Sequence, residues 1–233
     1  MMKIISALGL MLVATPALAQ TTPADIGGAY VGAHVAWSDR YSDWLDLGVG
    51  PLGSHHARGP QVGVQIGYDL DLGPAFIGAR ASFSPVGQSG NHVDQVFGYS
   101  TIYTERQRSD ERWRGEAIAR LGTRLGRQLV YAKGGLALSR KYYALTGYFG
   151  PDVVFAETTD TRSGWVIGAG VERRVSRRVS AFIDYGYADF GRKLENIRCT
   201  PRYPNCGSLD PSLVPVVLKE SNHRVEFGIN YHF

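Results

Sequence analysis

The sequence predicts an all-β fold: an eight-stranded antiparallel up-and-down transmembrane β-barrel with long extracellular loops and short periplasmic turns. Three observations predict it. Apolar residues recur at period two along most of the chain, and helical periodicity is nearly absent. The alternating segments run about 9–12 residues, the length that crosses a bilayer at barrel tilt. The connections between them alternate long and short, as they do when one end of a barrel faces outward and the other faces the periplasm. Proline placement agrees: Pro16 and Pro23 precede the first segment, and the rest lie in connections, with Pro60 at a strand edge. A hydrogen-bonded ladder cannot lose donors in mid-strand.

The chain opens with Lys3, the apolar run Ile4 to Ala14 and the tripeptide Ala17-Leu18-Ala19. This reads as a secretory leader cleaved after Ala19, giving a signal peptide at 1–19, a short lead at 20–27 and a barrel at 28–233. The first strand is Gly28 to Ser38, where Ala29, Val31, Ala33, Val35 and Trp37 face away from Tyr30, Gly32, His34 and Ala36. In the second, Gln61 to Leu70, Val62, Val64, Ile66 and Tyr68 oppose Gln61, Gly63, Gln65, Gly67 and Asp69. The third, Phe76 to Phe83, carries Arg80 on its polar face. The fourth, Trp113 to Leu125, places Arg114, Glu116, Arg120 and Arg124 on one side, and the fifth, Gln128 to Ser139, places Lys133 there. The sixth is Gly164 to Glu172 and the seventh Val179 to Phe190. The eighth, Asn222 to Phe233, sets Val225, Phe227, Ile229, Tyr231 and Phe233 against Arg224, Glu226, Gly228, Asn230 and His232.

The long connections are then Asp39–Pro60, Ser84–Arg112, Arg140–Ser163 and Gly191–Ser221. The short ones are Asp71–Ala75, Gly126–Arg127 and Arg173–Arg178. Alternation returns inside the long ones at Val96–Thr104, Tyr142–Tyr148 and Val153–Thr159. These are expected as hairpin extensions above the membrane; the alternative is an extra strand pair, giving ten strands.

Charge decides which face points inward. An arginine facing lipid near the midplane costs ~2–4 kcal/mol. Arg80, Arg114, Arg120, Arg124, Lys133 and Arg224 must therefore face the lumen, where Asp69, Glu116, Glu172, Asp184 and Glu226 can pair with them. An eight-stranded barrel is only wide enough for its side chains to fill it, so an ion-pair network is expected to close the lumen. Inward glycines make room for the long side chains. Trp37, Tyr68, Phe83, Trp113, Trp165, Tyr185, Tyr187 and Tyr231 suit the interfacial girdles. The net charge of +4 is mild and implies no nucleic-acid partner, and the mean hydropathy of −0.15 excludes a helical membrane protein.

Candidate sites are few. Cys199 and Cys206, with six residues between them in a Pro-rich loop, are expected to form a local disulfide in an oxidising compartment. Arg106, Arg108 and Arg112 cluster where the fourth strand meets the outer surface. They are a candidate lipopolysaccharide contact through phosphate, against a solvated charge mix with Glu105, Asp110 and Glu111. Arg173, Arg174, Arg177 and Arg178 sit in a short turn and could meet anionic headgroups. His55 and His56, beside Arg58, offer a haem or metal hypothesis, set against a solvated loop; His34 and His232 are expected as lumen hydrogen-bonders. No histidine is followed by Ser two positions on, and no nucleophile–base spacing stands out, so neither catalysis, metal nor cofactor is expected.

Several stretches resemble one family. These are Gly28-Ala29-Tyr30-Val31-Gly32-Ala33-His34-Val35, Arg120-Leu121-Gly122 followed by Val130-Tyr131-Ala132-Lys133-Gly134-Gly135-Leu136-Ala137, and Gly164-Trp165-Val166-Ile167-Gly168-Ala169-Gly170-Val171-Glu172. Asp184-Tyr185-Gly186-Tyr187-Ala188-Asp189-Phe190-Gly191 and the final Asn230-Tyr231-His232-Phe233 complete the set. Together they resemble the opacity-type porin family, which includes the immunogenic outer-membrane proteins of alphaproteobacteria and is related to the transmembrane domain of outer-membrane protein A. The resemblance implies the bacterial outer membrane as location. It also implies a C-terminal assembly signal at Tyr231 and Phe233, read by the barrel assembly machinery.

The function expected is structural or surface-interacting, with a narrow or closed lumen. Outer-membrane lipid, lipopolysaccharide and host surface molecules are the candidate partners. The competing readings are a small-solute porin, and an adhesin or haem-binding surface protein acting through its loops.

Overall fold

The structure is a computed structural model that describes residues 27–97, 102–147, 150–207 and 209–233. The residues expected to form a leader, 1–19, lie outside the described residues, as does nearly all of the expected lead at 20–27. The chain forms β1 (Gly28–Asp46), β2 (Gly50–Asp71), β3 (Ala75–Phe97), β4 (Ile102–Leu125), β5 (Gln128–Gly147), β6 (Gly150–Arg174), β7 (Val179–Cys199) and β8 (Leu213–His232). Every strand pairs antiparallel with its sequence neighbours, and β1 pairs with β8, which closes the barrel. The stretches read as hairpin extensions belong to β3–β4 and β5–β6 and pair within them as far as Phe97↔Ile102 and Gly147↔Gly150. The strand count is eight.

The strands are about twice the expected length. Most of each long connection read from the sequence is itself strand, because alternation continues past the bilayer belt. Among the described residues, only 200–207 and 209–212, between β7 and β8, form an extended irregular connection. At ~3.3 Å per residue and a tilt of ~40°, a strand of some twenty residues rises roughly 50 Å, against an apolar band of ~25 Å. One end of the barrel stays near the belt and is closed by the short turns around Gly73, Gly126 and Ser176. The other end stands far beyond the belt.

Proline shows the consequence. Pro51, Pro60, Pro85, Pro151 and Pro215 lie inside strands, contrary to the expectation that all would lie in connections. Pro51, Pro60, Pro151 and Pro215 sit in the distal half, and Pro85 sits near the middle of β3. Pairing of β2 with β3 stops at Val64↔Phe83, so Pro51 and Pro60 owe no donor on that side. Pro85 sits at the register shift between β3 and β4.

Inside and outside alternate as charge demanded. Val64, Ile66, Leu121, Leu136 and Ile167 are each more than half exposed on the outer wall, the face a lipid belt covers. Tyr30, His34, Gln65, Asp69, Arg80 and Arg120 are buried inside. Above the polar interior, the distal half holds an apolar cluster of Trp44, Leu52, Tyr143, Leu145, Phe155, Ala156, Ile197, Val214, Val216 and Leu218.

Candidate functional site: the lumen

The lumen is built in three polar levels beneath an apolar cap. At the level nearest the turns, β4 points Arg120 across the barrel. Its Nε donates to Asp69 Oδ1 at 2.9 Å and its Nη1 to Glu172 Oε2 at 2.7 Å. The guanidinium also lies over the rings of Tyr30, Tyr131 and Phe76, at 4.9, 5.2 and 5.5 Å from the centroids. Glu172 further accepts from Asn230 at 3.0 Å and from Ser180. Gly78 lies beneath Asp69, where any Cβ would overlap the carboxylate.

The middle level is a chain of shared carboxylates. Asp184 pairs with Lys133 and with Arg80 Nη1 at 3.1 Å, and accepts from the Tyr131 hydroxyl at 3.2 Å. Arg80 reaches on to Glu226 at 3.4 Å. Arg224 binds Glu226 at 2.9 Å and Glu116 at 3.4 Å, and Arg114 binds Glu116 at 2.7 Å. Arg224 Nη2 also donates to His34 Nε2 at 2.9 Å. Gly168 gives Lys133 its space, since a Cβ there would meet the lysine stem. Asp184, Glu226, Glu116, Arg80 and Arg224 each have more than one partner, the condition under which buried ions are tolerated.

The uppermost level lies beyond the belt and centres on Glu220. Lys141 Nζ is 2.7 Å away, Arg162 Nη1 3.3 Å and Arg40 Nη1 3.7 Å. The hydroxyls of Ser42 and Tyr143 each donate at 2.9 Å. Burial opposes the Glu220 charge, but the three cations outweigh it and hold the carboxyl below the usual glutamate range. Burial pushes the Lys141 ammonium down to about 8 despite Glu220 beside it. Glu111, set against Ser139 and Gln61, is also held low: Lys141, Arg114 and Arg40 overcome its burial.

Directly above, Trp44 meets Tyr143 edge-on at 5.7 Å within the apolar cluster. Tyr203 and Cys206 of the β7–β8 connection pack onto that cluster, and Cys199–Cys206 are disulfide-bonded, with Cα atoms 5.7 Å apart.

Arg80, Arg114, Glu116, Arg120, Lys133, Glu172, Asp184, Arg224 and Glu226 thus meet one another inside the barrel. Arg124 does not join them. It pairs with Asp71 at the turn end and is partly exposed, because the strand leaves the closed lumen there. The sequence reading missed Arg40, Lys141, Arg162 and Glu220, which fell in supposed loops. Their inward parity, continuous with Ser38, Ser139, Gly164 and Asn222, was the signal available. It also read His55 as part of a solvated loop. His55 is buried, with Nε2 2.7 Å from Ser109 Oγ, whereas His56 points outward to Asp39 at 2.7 Å.

On the outer wall above the belt, Arg106, Arg108 and Arg112 share the exposed face of β4. Arg108 pairs with Asp110 at 2.8 Å, and Arg112 lies over the Tyr142 ring at 5.3 Å. Tyr231 and Phe233 lie on the lipid side at the turn end, their rings edge-to-face at 5.5 Å.

A strand-closed barrel with an apolar exterior and a charged interior defines an integral outer-membrane protein. Residues 5–233 match the model of the outer membrane protein beta-barrel domain, and the chain belongs to that family. It is 27% identical over 173 residues to the 31 kDa outer-membrane immunogenic protein of Brucella melitensis biotype 1, covering 73% of this chain and 65% of that protein. It therefore spans about two thirds of that relative's length. It is also 27% identical over 179 residues to the 22 kDa outer membrane protein of Rhizobium leguminosarum bv. viciae, covering 75% and 71%. Among solved structures, OprG of Pseudomonas aeruginosa is similar with a TM-score of 0.44 and 11% identity, over 89% of this chain and 97% of that one. The protein is an outer-membrane β-barrel with one short-turn end and one extended end.

Proposed function

We propose that this chain is a surface-exposed envelope protein whose lumen is sealed, with a structural or surface-interaction role. The observation that carries this reading is the pairing of two unlike obstructions in series. A multiply bonded charge network fills the belt, and a buried apolar cluster sits on it above Glu220. Water and ions can hydrate the first only by separating ion pairs. They can cross the second only by entering an apolar core. The lumen carboxylates and His34 are engaged with cations and hydroxyls, which argues for structure rather than catalysis.

On this reading the extracellular half is a rigid stalk that presents the β7–β8 connection and the outer face of β4. Arg106, Arg108 and Arg112 are our candidates for lipopolysaccharide phosphate. Tyr231 and Phe233 are our candidates for the assembly signal.

Single-channel recording of the refolded chain in a planar bilayer tests the seal. A silent membrane is expected, with folding verified by a heat-shifted gel band. Steady, reproducible steps would replace this reading with that of a small-solute porin.

A further inference from the structure

The short-turn end carries a second feature that the lumen does not use. The β4–β5 turn contains Arg127, and the β6–β7 turn is flanked by Arg173 and contains Arg177 and Arg178. All four side chains are exposed, and among the described residues none meets a carboxylate. The two turns are joined: the Arg174 backbone N–H donates to Arg127 O at 3.1 Å, and its guanidinium folds back on Arg177 O at 3.1 Å. They therefore form one basic edge spanning β5 to β7.

Two further observations say what faces this edge. Arg173 shares the lipid-facing side of β6 with Ile167 and Val171, and Arg178 Nη1 donates at 3.1 Å to the lipid-facing Tyr231. Arg173 and Arg178 thus lie along the outer wall rather than around the lumen mouth. They also stand on an apolar footing: Leu125, Val175 and Phe233 are 60%, 68% and 78% exposed beside them. Exposed Val175 between arginines suits neither free solvent nor a soluble acidic peptide, which would have to displace lipid to reach Arg173. It suits an interface where acyl chains meet anionic headgroups.

We propose that Arg127, Arg173, Arg177 and Arg178 form a binding site for anionic phospholipid headgroups of the periplasmic leaflet. Guanidinium groups grip phosphate through paired N–H donors, while Leu125, Val175 and Phe233 meet the acyl chains of lipids along this edge.

Native mass spectrometry of the refolded chain from micelles with equimolar phosphatidylglycerol and phosphatidylcholine tests this. Wild type should retain phosphatidylglycerol several-fold over phosphatidylcholine. R127Q/R173Q/R177Q/R178Q should retain the two nearly equally, while R192Q/R198Q, on the extracellular side, should behave as wild type. If the quadruple variant fails the heat-shift test of folding, R173Q/R177Q should still lose about half of the preference. Equal retention by wild type overturns the proposal, as does a preference that survives the four substitutions. So does equally effective competition by soluble glycerol 3-phosphate, which would make this a free-anion site.

Discussion

Glu220 shows how one residue sets the energetics of the distal half. Its carboxylate is fully buried and shared by Lys141, Arg162 and Arg40. Removing the charge strands three buried cations, and breaking a buried pair in this way costs ~3–5 kcal/mol. Glu220→Gln should therefore lower the thermal unfolding midpoint in detergent. The pH dependence has a definite sign. Glu220 titrates below its unfolded value in the folded chain, so the folded state binds its proton less readily. Its contribution is complete above the unfolded value of ~4.3 and is lost as pH falls through the lower folded value. Midpoints measured from pH 7 to 3 should fall less steeply in E220Q than in wild type. Parallel slopes would show that Glu220 is not held low by its cations.

At the scale of the element, the decisive feature is strand length. The expectation of long loops came from looking for segments of bilayer-crossing length and stopping there. Alternation was legible beyond the belt in Val96–Thr104, Tyr142–Tyr148 and Val153–Thr159. The prolines at 51, 60, 85, 151 and 215 obscured it, because each looks like a break until the missing pairing partner on its side is seen. The belt faces were legible because an arginine in lipid is forbidden on energetic grounds. The Glu220 level was not, since beyond the lipid no such rule assigns a face.

This difference can be tested by proteolysis. If the distal half were loops, trypsin would cut at Arg108, Arg112, Arg140 and Arg192 alike. With paired strands there, the first cleavage in reconstituted vesicles should fall after exposed Arg202 in the β7–β8 connection, as read by mass spectrometry after reduction. A second weak point lies between β6 and β7, where pairing lapses between Glu157 and Trp165. Arg162 fills it, with Nη2 donating to the carbonyls of Phe190, Gly191 and Leu218 at 3.2–3.3 Å. Arg162→Ala should raise hydrogen exchange at the amides around Phe190 and Gly191 and leave the belt amides protected.

The whole molecule is two barrels in one. At bilayer depth the exterior is apolar and the interior charged; beyond it, the interior passes from the charged Glu220 level to the apolar cluster, and charged side chains take over the exterior. The inversion follows from the solvent outside each half, since each half buries what its surroundings would penalise. It also arranges the two obstructions in series, so that neither needs the other to block conduction. Thinning the cap with Trp44→Ala and Leu218→Ala should leave the chain silent in a planar bilayer, because Arg80, Arg224 and their carboxylates still fill the belt. Replacing Arg80 and Arg224 with Ser should also leave it silent, because water admitted below still meets the apolar cap. Only the combined variant should conduct, with a heat-shifted band verifying that each variant is folded. Conductance in either double variant alone would mean that one layer carries the whole seal. Silence in the combined variant would mean that the Arg120 and Glu220 levels are sufficient by themselves.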